Sequence, residues 1–424
     1  MPSFVTHLFP SLRSAMPFHS RQTAQMLCAL CVVLMLASAA LTGCSSPPYT
    51  VTPTSGLPAT PPQIPSSNSY IGTQNPLNWT LTIDDKQNAY SYQSLPMDGS
   101  KPAAASGSFV PQSGFLNLGS YGLGLEIPGA GAILRPGDNT TTPVVMVEQE
   151  GCLILTGEQR YLLQGMVNTT GNSSPILIYR RGDLVASTTS DGKTWSFTNA
   201  EYIDPNGNQL SLNYQGQNSP NSFTGACATT QGAASVGIDT SGAYKLPTIF
   251  RFGSAGMAIG DYTTYTSAMG FAQPLNPIST KSLAASTFRG FQVEYSSMAV
   301  TQPVSFGPAI DGSVALNGGT YPSDDVTQQA DSSDLFQFGS QSGLINGLFA
   351  NATLTVLDPK SGCSANNRSP ADIGVTPNGI PTCRLHLSAM VGEVNGKAFI
   401  VASGTDFTIP SSSAPDIQLY LIQQ

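Results

Sequence analysis

The sequence predicts an all-β protein: two antiparallel β-domains, barrel- or sandwich-like, behind an apolar leader and a Pro-rich stretch. Three observations carry this expectation. Apolar residues recur with a period of two, as in Leu77, Trp79, Leu81 and Ile83 against Asn78, Thr80, Thr82 and Asp84; that spacing puts one face of a strand in a core and the other in water. Turn residues punctuate these runs, and the 42 Gly and 32 Pro of the chain suit short strands and many reversals. Helical spacing is scarce, confined to residues 280–286 and 342–349.

The chain begins with an uncharged apolar run, residues 26–41, preceded by Arg13 and Arg21 and by no acid. The run falls short of the roughly 20 residues of a membrane-spanning helix and has the character of a signal h-region. It ends in Leu41-Thr42-Gly43-Cys44. This segment resembles the lipobox of bacterial lipoproteins. The resemblance implies that residues 1–43 are a signal peptide, that a diacylglyceryl group is attached to Cys44, and that the cut chain is held in a membrane by two or more acyl chains, enough for stable anchoring. Ser45 stands where Asp favours inner-membrane retention in Gram-negative members, so the resemblance leans towards the outer membrane. It covers the leader and tether only. Met16 offers a second start that gives a shorter leader.

Residues 44–75 are rich in Pro, Ser and Thr, as in Pro47-Pro48 and Pro61-Pro62. Such a composition buries too little apolar surface to order itself and reads as a disordered tether. Strand patterns then follow through two spans, 76–243 and 244–424. The first holds Tyr121, Leu123, Leu125 and Ile127 and runs at 144–147, 152–155, 176–179 and 195–197. The second holds runs at 249–252, 288–295, 336–338, 353–357, 385–391, 398–402 and 417–422. Asp239-Thr240-Ser241-Gly242, ahead of Leu246-Pro247, marks the boundary; one composite fold is the alternative. Asn395-Gly396 between two apolar runs is a hairpin signal, because a type I′ turn needs positive φ at both central residues. The run at 417–422 is placed to close a barrel or sandwich. No internal repeat is evident.

Two of the 17 Lys and Arg precede Cys44, which leaves 15 against 25 acidic residues, and charged residues are 10% of the chain. That balance argues against nucleic acid, which requires a basic face, and against docking on acidic lipids. Of the seven cysteines, Cys28 and Cys31 lie in the leader and Cys44 at its end. Cys152, Cys227, Cys363 and Cys383 remain, an even number in an exported chain, which predicts two disulfides. The sequence-local pairing, Cys152–Cys227 and Cys363–Cys383, is favoured over the two crossed ones. Zinc ligands come in close pairs, and these four do not, so neither metal nor cofactor is expected.

His386 is the only histidine after Cys44, and its place between Leu385 and Leu387 puts it on a wet strand face. A Ser-His-Asp triad would have to use it, and no Gly-x-Ser-x-Gly elbow occurs. Ser190-Asp191-Gly192-Lys193 matches Ser-x-x-Lys by letters but reads as a hairpin turn. Glu148 and Glu150 share a strand face roughly 7 Å apart, within the range of an inverting carboxylate pair, although two solvated charges are the plainer reading. Asp204, Asn206 and Asn208 have calcium-loop spacing around an ordinary Pro-Gly turn. Asp324, Asp325, Asp331 and Asp334 read as a solvated acidic loop. Trp79 and Trp195 alternate with apolar residues and are expected in cores rather than on a sugar-stacking surface. The expectation is a lipid-anchored envelope protein that binds, adheres or supports, with a glycan or protein ligand; the alternative is a glycan-active enzyme that uses carboxylates alone.

Overall fold

The computed structural model describes residues 49–51 and 68–424, apart from 75–76, 97–102, 138–142, 150, 170–175, 204–208, 211–221, 231–232, 239–248, 263–265, 296–298, 311–312, 323–324, 332–333, 344, 358–371 and 405–416. The leader with Cys44, Cys363, Glu150 and the 204–208 turn therefore lie outside the described residues, as do most of the tether and the 243/244 boundary.

Strand β1 (Tyr49–Val51) comes first. The chain then winds through three successive meander sheets. The first contains β2 (Asn68–Gln74), β3 (Leu77–Asp84), β4 (Ala89–Pro96), β5 (Ala103–Ser108), β6 (Val110–Gln112), β7 (Phe115–Asn117), β8 (Gly122–Ile127), β9 (Gly131–Pro136) and β10 (Val144–Glu148). It starts at Asn68, inside the span that composition assigns to the tether. Its last strand returns to its first, with Glu148 opposite Tyr70. Strands β5 and β6 are two halves of one run, interrupted only at Phe109: the first half pairs with β4 and the second with β7. The ring of eight is thus closed in order but split along this strand, because neither neighbour pairs with its full length.

The second sheet follows β11 (Leu153–Leu155), which pairs in parallel with β1. It contains β12 (Gln159–Thr169), β13 (Ile176–Thr188), β14 (Thr194–Ile203), the short edge strand β15 (Gln209–Leu210), β16 (Ser222–Thr230), β17 (Ala233–Ile238), β18 (Ile249–Phe252), β19 (Met257–Tyr262) and β20 (Thr266–Ala272). Each main strand pairs with the next and β20 pairs with β12, Ala272 opposite Tyr161, which closes an eight-stranded barrel. The boundary read from the sequence falls between β17 and β18, which are neighbours in this barrel.

Helix α1 (Thr280–Ala284) comes next, with the hydroxyl of Ser279 accepting from the Ser282 amide at 3.3 Å as an N-cap. The third sheet is β21 (Phe288–Tyr295), β22 (Ala299–Gly307), β23 (Ala315–Thr320), β24 (Asp334–Gln337), β25 (Leu348–Leu357), the edge strand β26 (Ile373–Val375), β27 (Pro381–Val394), β28 (Lys397–Gly404) and β29 (Ile417–Gln423). It also closes, because β25 pairs with β27 and the C-terminal β29 pairs with both β28 and β21. In the second helical spacing, 342–349, the described residues form bends and turns that lead into β25 at Leu348, not a helix.

The described residues, all of which follow Ser46, pack as one compact unit, and the alternation of the strands explains how. One parity of each strand fills its own barrel. Tyr70, Leu81, Ile83, Leu134 and Met146 fill the first, Tyr161, Trp195, Phe197, Phe250 and Phe252 the second, and Phe288, Phe306, Phe336, Leu419 and Leu421 the third. The opposite parity of the closing strands meets in a fourth core shared by all three. It takes Leu125 and Ile133 from the first barrel, Ile259, Met269 and Phe271 from the second, and Phe291, Phe399, Tyr420 and Ile422 from the third. Burying each such side chain contributes roughly 1.5–3 kcal/mol. Two buried arginines cross between barrels: Arg251 Nη2 lies 3.4 Å from Asn78 Oδ1, and Arg135 Nη1 3.5 Å from the Thr301 carbonyl. Asn395 donates to the Pro128 carbonyl at 2.9 Å, joining the hairpin between the sixth and seventh strands of the third barrel to the same hairpin of the first.

Candidate functional site

The interior of the first barrel brings together several strongly perturbed polar groups. On β8 the inward positions are Gly122, Gly124 and Glu126, so Glu126 is the one side chain that this strand sends inward; Leu123, Leu125 and Ile127 face the shared core. Across the barrel, β2 sends Asn68 and Tyr70 inward, 3% and 0% exposed. The Tyr70 hydroxyl donates to Glu126 Oε1 at 2.6 Å and the Asn68 amide donates to the same oxygen at 3.0 Å. The Gly129 amide in turn donates to the Tyr70 oxygen at 3.3 Å. Burial pushes the Glu126 carboxyl up to about 7, against the two donated hydrogen bonds, which lower it. Burial, then the Glu126 charge, raises the Tyr70 phenol far above its usual value. At neutral pH this end of the barrel therefore holds a carboxyl poised between its two protonation states and a phenol fixed as a donor.

Glu148 on β10 lies opposite Tyr70 in register and adds to the rise of that phenol. The Ser254 hydroxyl, in the β18–β19 hairpin of the second barrel, approaches Glu148 Oε2 at 3.4 Å. The other wall of the interior is aromatic. Trp79 and Tyr92 have ring centroids 5.1 Å apart, and Tyr121 lies 6.1 Å from Tyr92 and 6.3 Å from Tyr90. Tyr90 is anchored by donation to the Leu118 carbonyl at 3.0 Å, whereas Tyr121 is 45% exposed. Burial pushes Tyr92 up to about 12. These rings sit on β3, β4 and the turn before β8. Of these rings Tyr121 is the exposed one, while Trp79 and Tyr90 belong to the buried core of the same barrel.

The structure brings one of the sequence candidates into this site, Glu148, and adds Glu126, Tyr70 and Asn68, which the sequence reading did not single out. A signal for Glu126 existed: it is the one acid in an alternating apolar strand otherwise faced with glycine. The other candidates stay apart. His386 is exposed on β27 and pairs with Asp372, Nε2 to Oδ1 at 2.8 Å. Asp191 accepts from the Thr189 hydroxyl at 2.6 Å and the Lys193 amide at 3.0 Å, which closes the β13–β14 hairpin expected for the Ser190–Lys193 stretch. Asp325 accepts from the Thr327 amide at 3.0 Å in a local turn. Asp334 is buried, accepting from the Leu357 amide at 3.3 Å, so it belongs to the sheet and not to a solvated loop. Asp331 is exposed, and Asp324 lies outside the described residues. Trp79 and Trp195 are 9% and 1% exposed, both in barrel cores. Cys152 and Cys227 form a disulfide with a Cα separation of 6.0 Å, and Cys383 is disulfide-bonded as well. Among the described residues, no three His, Cys, Asp or Glu side chains group as metal ligands.

No protein-family model matches the chain, and no curated protein matches it.

Proposed function

We propose that the chain is a lipid-anchored bacterial envelope protein, held through Cys44, whose first barrel binds a saccharide chain of the envelope rather than transforming it. The aromatic cluster of Trp79, Tyr92 and Tyr121, with Tyr121 exposed, and the Glu126–Tyr70–Asn68 hydrogen-bond group of the same barrel support this reading. Sugar rings place C–H faces on aromatic rings and hydroxyls on carboxylates and amides, and this barrel offers both. The anchor reading rests on Leu41-Thr42-Gly43-Cys44, and the Ser at position 45 supports an outer-membrane location. The low charge of the chain favours no nucleic-acid partner. Nothing in the proposed role calls for a cofactor.

A second reading, a glycan-active enzyme, is favoured by one observation: Glu126 is raised to about 7, the range of a general acid at neutral pH, with Glu148 near the same phenol. One experiment separates the two. The chain cut after Gly43 is titrated with envelope oligosaccharides and assayed for their cleavage. Binding without cleavage, weakened roughly tenfold or more in Tyr121→Ala and retained in Glu126→Gln, supports the binding role. Cleavage that Glu126→Gln abolishes establishes the enzyme. No binding to any envelope saccharide, with capture of an envelope protein instead, overturns both. The anchor is tested by labelling with a palmitate analogue, which Cys44→Ala should abolish.

A further inference from the structure

We propose that the second barrel holds a flat, mostly apolar small molecule that presents a hydrogen-bond acceptor to Tyr161 Oη and Trp195 Nε1. This site is distinct from the first barrel and does not depend on the role assigned there. Both side chains are buried, 0% and 1% exposed, and belong to one apolar core. Both rings lie against Phe252, with centroids at 5.0 Å for Tyr161 and 4.4 Å, nearly parallel, for Trp195. Neither the phenol oxygen nor the indole nitrogen has a hydrogen-bond partner among the described residues. A buried polar group left without a partner is strongly unfavourable, and native cores rarely tolerate two together. A Phe at 161 would fill the same volume without that penalty, so two donors on one aromatic surface call for an acceptor.

The two strands that separate β18 from β12 carry small residues on the inward face: Ala258 and Gly260 on β19, Gly270 and Ala272 on β20. Gly and Ala on this part of the wall, next to the large rings of β12, β14 and β18, give the proposed molecule its place, and the flat rings favour a planar one. The end below the rings is blocked: Leu153 and Leu155 enter the same core, on a segment tied to β16 by the Cys152–Cys227 disulfide. On the other side, the β12–β13 ladder continues past Tyr161 to Thr169, so the wall extends well beyond the aromatic layer. Trp195 donates only, and the phenol of Tyr161 donates at every ordinary pH because burial holds it protonated. The ligand must therefore bring acceptors, such as a carbonyl, carboxylate or sulfonate oxygen.

The test uses 1-anilinonaphthalene-8-sulfonate, an aromatic molecule with a sulfonate acceptor, on the chain cut after Gly43. In Trp79→Phe, Trp195 is the sole tryptophan, since the chain has two. Saturable binding of one equivalent should quench Trp195 as the probe brightens. Adding Tyr161→Phe should weaken binding roughly tenfold, the scale of one hydrogen bond, with the melting temperature of the free protein unchanged or raised. Gly260→Leu should block binding by filling that place; if that variant does not fold, Tyr161→Phe decides. Equal affinity in Tyr161→Phe, probe binding that leaves Trp195 emission untouched, or no binding at all each overturns the proposal.

Discussion

Glu126 shows how one residue can set the pH response of a domain. Its carboxyl is raised from an ordinary 4.5 to about 7, chiefly by burial. The folded state therefore binds a proton that the unfolded chain releases between these values. The stabilisation is fully present below pH 4.5, declines as pH rises, and is lost above about 7. Glu126→Gln keeps an acceptor for Tyr70 and Asn68 without a charge. The variant should be more stable than the parent at pH 8, by about 2 kcal/mol, and equal to it at pH 4.5. Urea melts at the two pH values check this; an equal loss of stability with pH in both proteins would sink it. Other residues were legible from the sequence alone. The wet face of His386, the burial of both tryptophans and the turn at Asp191 follow from alternation and local turn chemistry. Glu126 was not, because its shift comes from burial in a barrel interior built by strands distant in the sequence, and its partners Tyr70 and Asn68 lie 56 and 58 residues away in the chain. No local pattern reports such a partner.

At the scale of elements, the chain announces its strands better than their partners. In β29, Ile417, Leu419 and Leu421 fill the third barrel while Tyr420 and Ile422 face the shared core. A strand buried on both faces reads as a nearly continuous apolar run, and this one was recognised as a closing strand. The hairpin at Asn395-Gly396 has φ of 47° and 74°, as its type I′ signal requires. What the sequence hid is the repetition. The seventh strand of each barrel carries Ala132-Ile133, Ala258-Ile259 or Ala398-Phe399, with the alanine against the barrel interior and the larger residue in the shared core. Two residues are too short a signature to stand out among so many strands. The disulfide is an element-scale device of a different kind. It holds β11 across one end of the second barrel, over a sequence separation of 75. Replacing Cys152 and Cys227 together by Ala should cost about 4 kcal/mol, the loop-entropy scale. Urea unfolding of the parent with and without reductant, beside the double variant, measures it. A variant as stable as the oxidised parent would show that packing alone seats the plug.

For the whole molecule, the decisive feature is that three barrels share one core. A barrel standing alone needs a polar exterior, yet here the outward faces of the closing strands are apolar: Ile133 and Leu125 in the first, Ile259 and Phe271 in the second, Phe399 and Tyr420 in the third. Detaching one barrel would expose its share of this surface and also strand Arg135 and Arg251, whose partners include groups on other barrels. Both costs fall on any intermediate with one barrel unfolded, so such intermediates should be poorly populated. Thermal unfolding of the mature chain should then be a single calorimetric transition. Phe399→Ala, which removes a fully buried ring of the third barrel from the shared core, should destabilise by roughly 3–5 kcal/mol. It should move the entire transition downward, including near-ultraviolet signals from Trp79 and Trp195 in the other two barrels. Separate transitions in the parent, or a variant in which the tryptophan signals melt where they did before, would show that the barrels fold as independent units and that the shared core is only a contact between them.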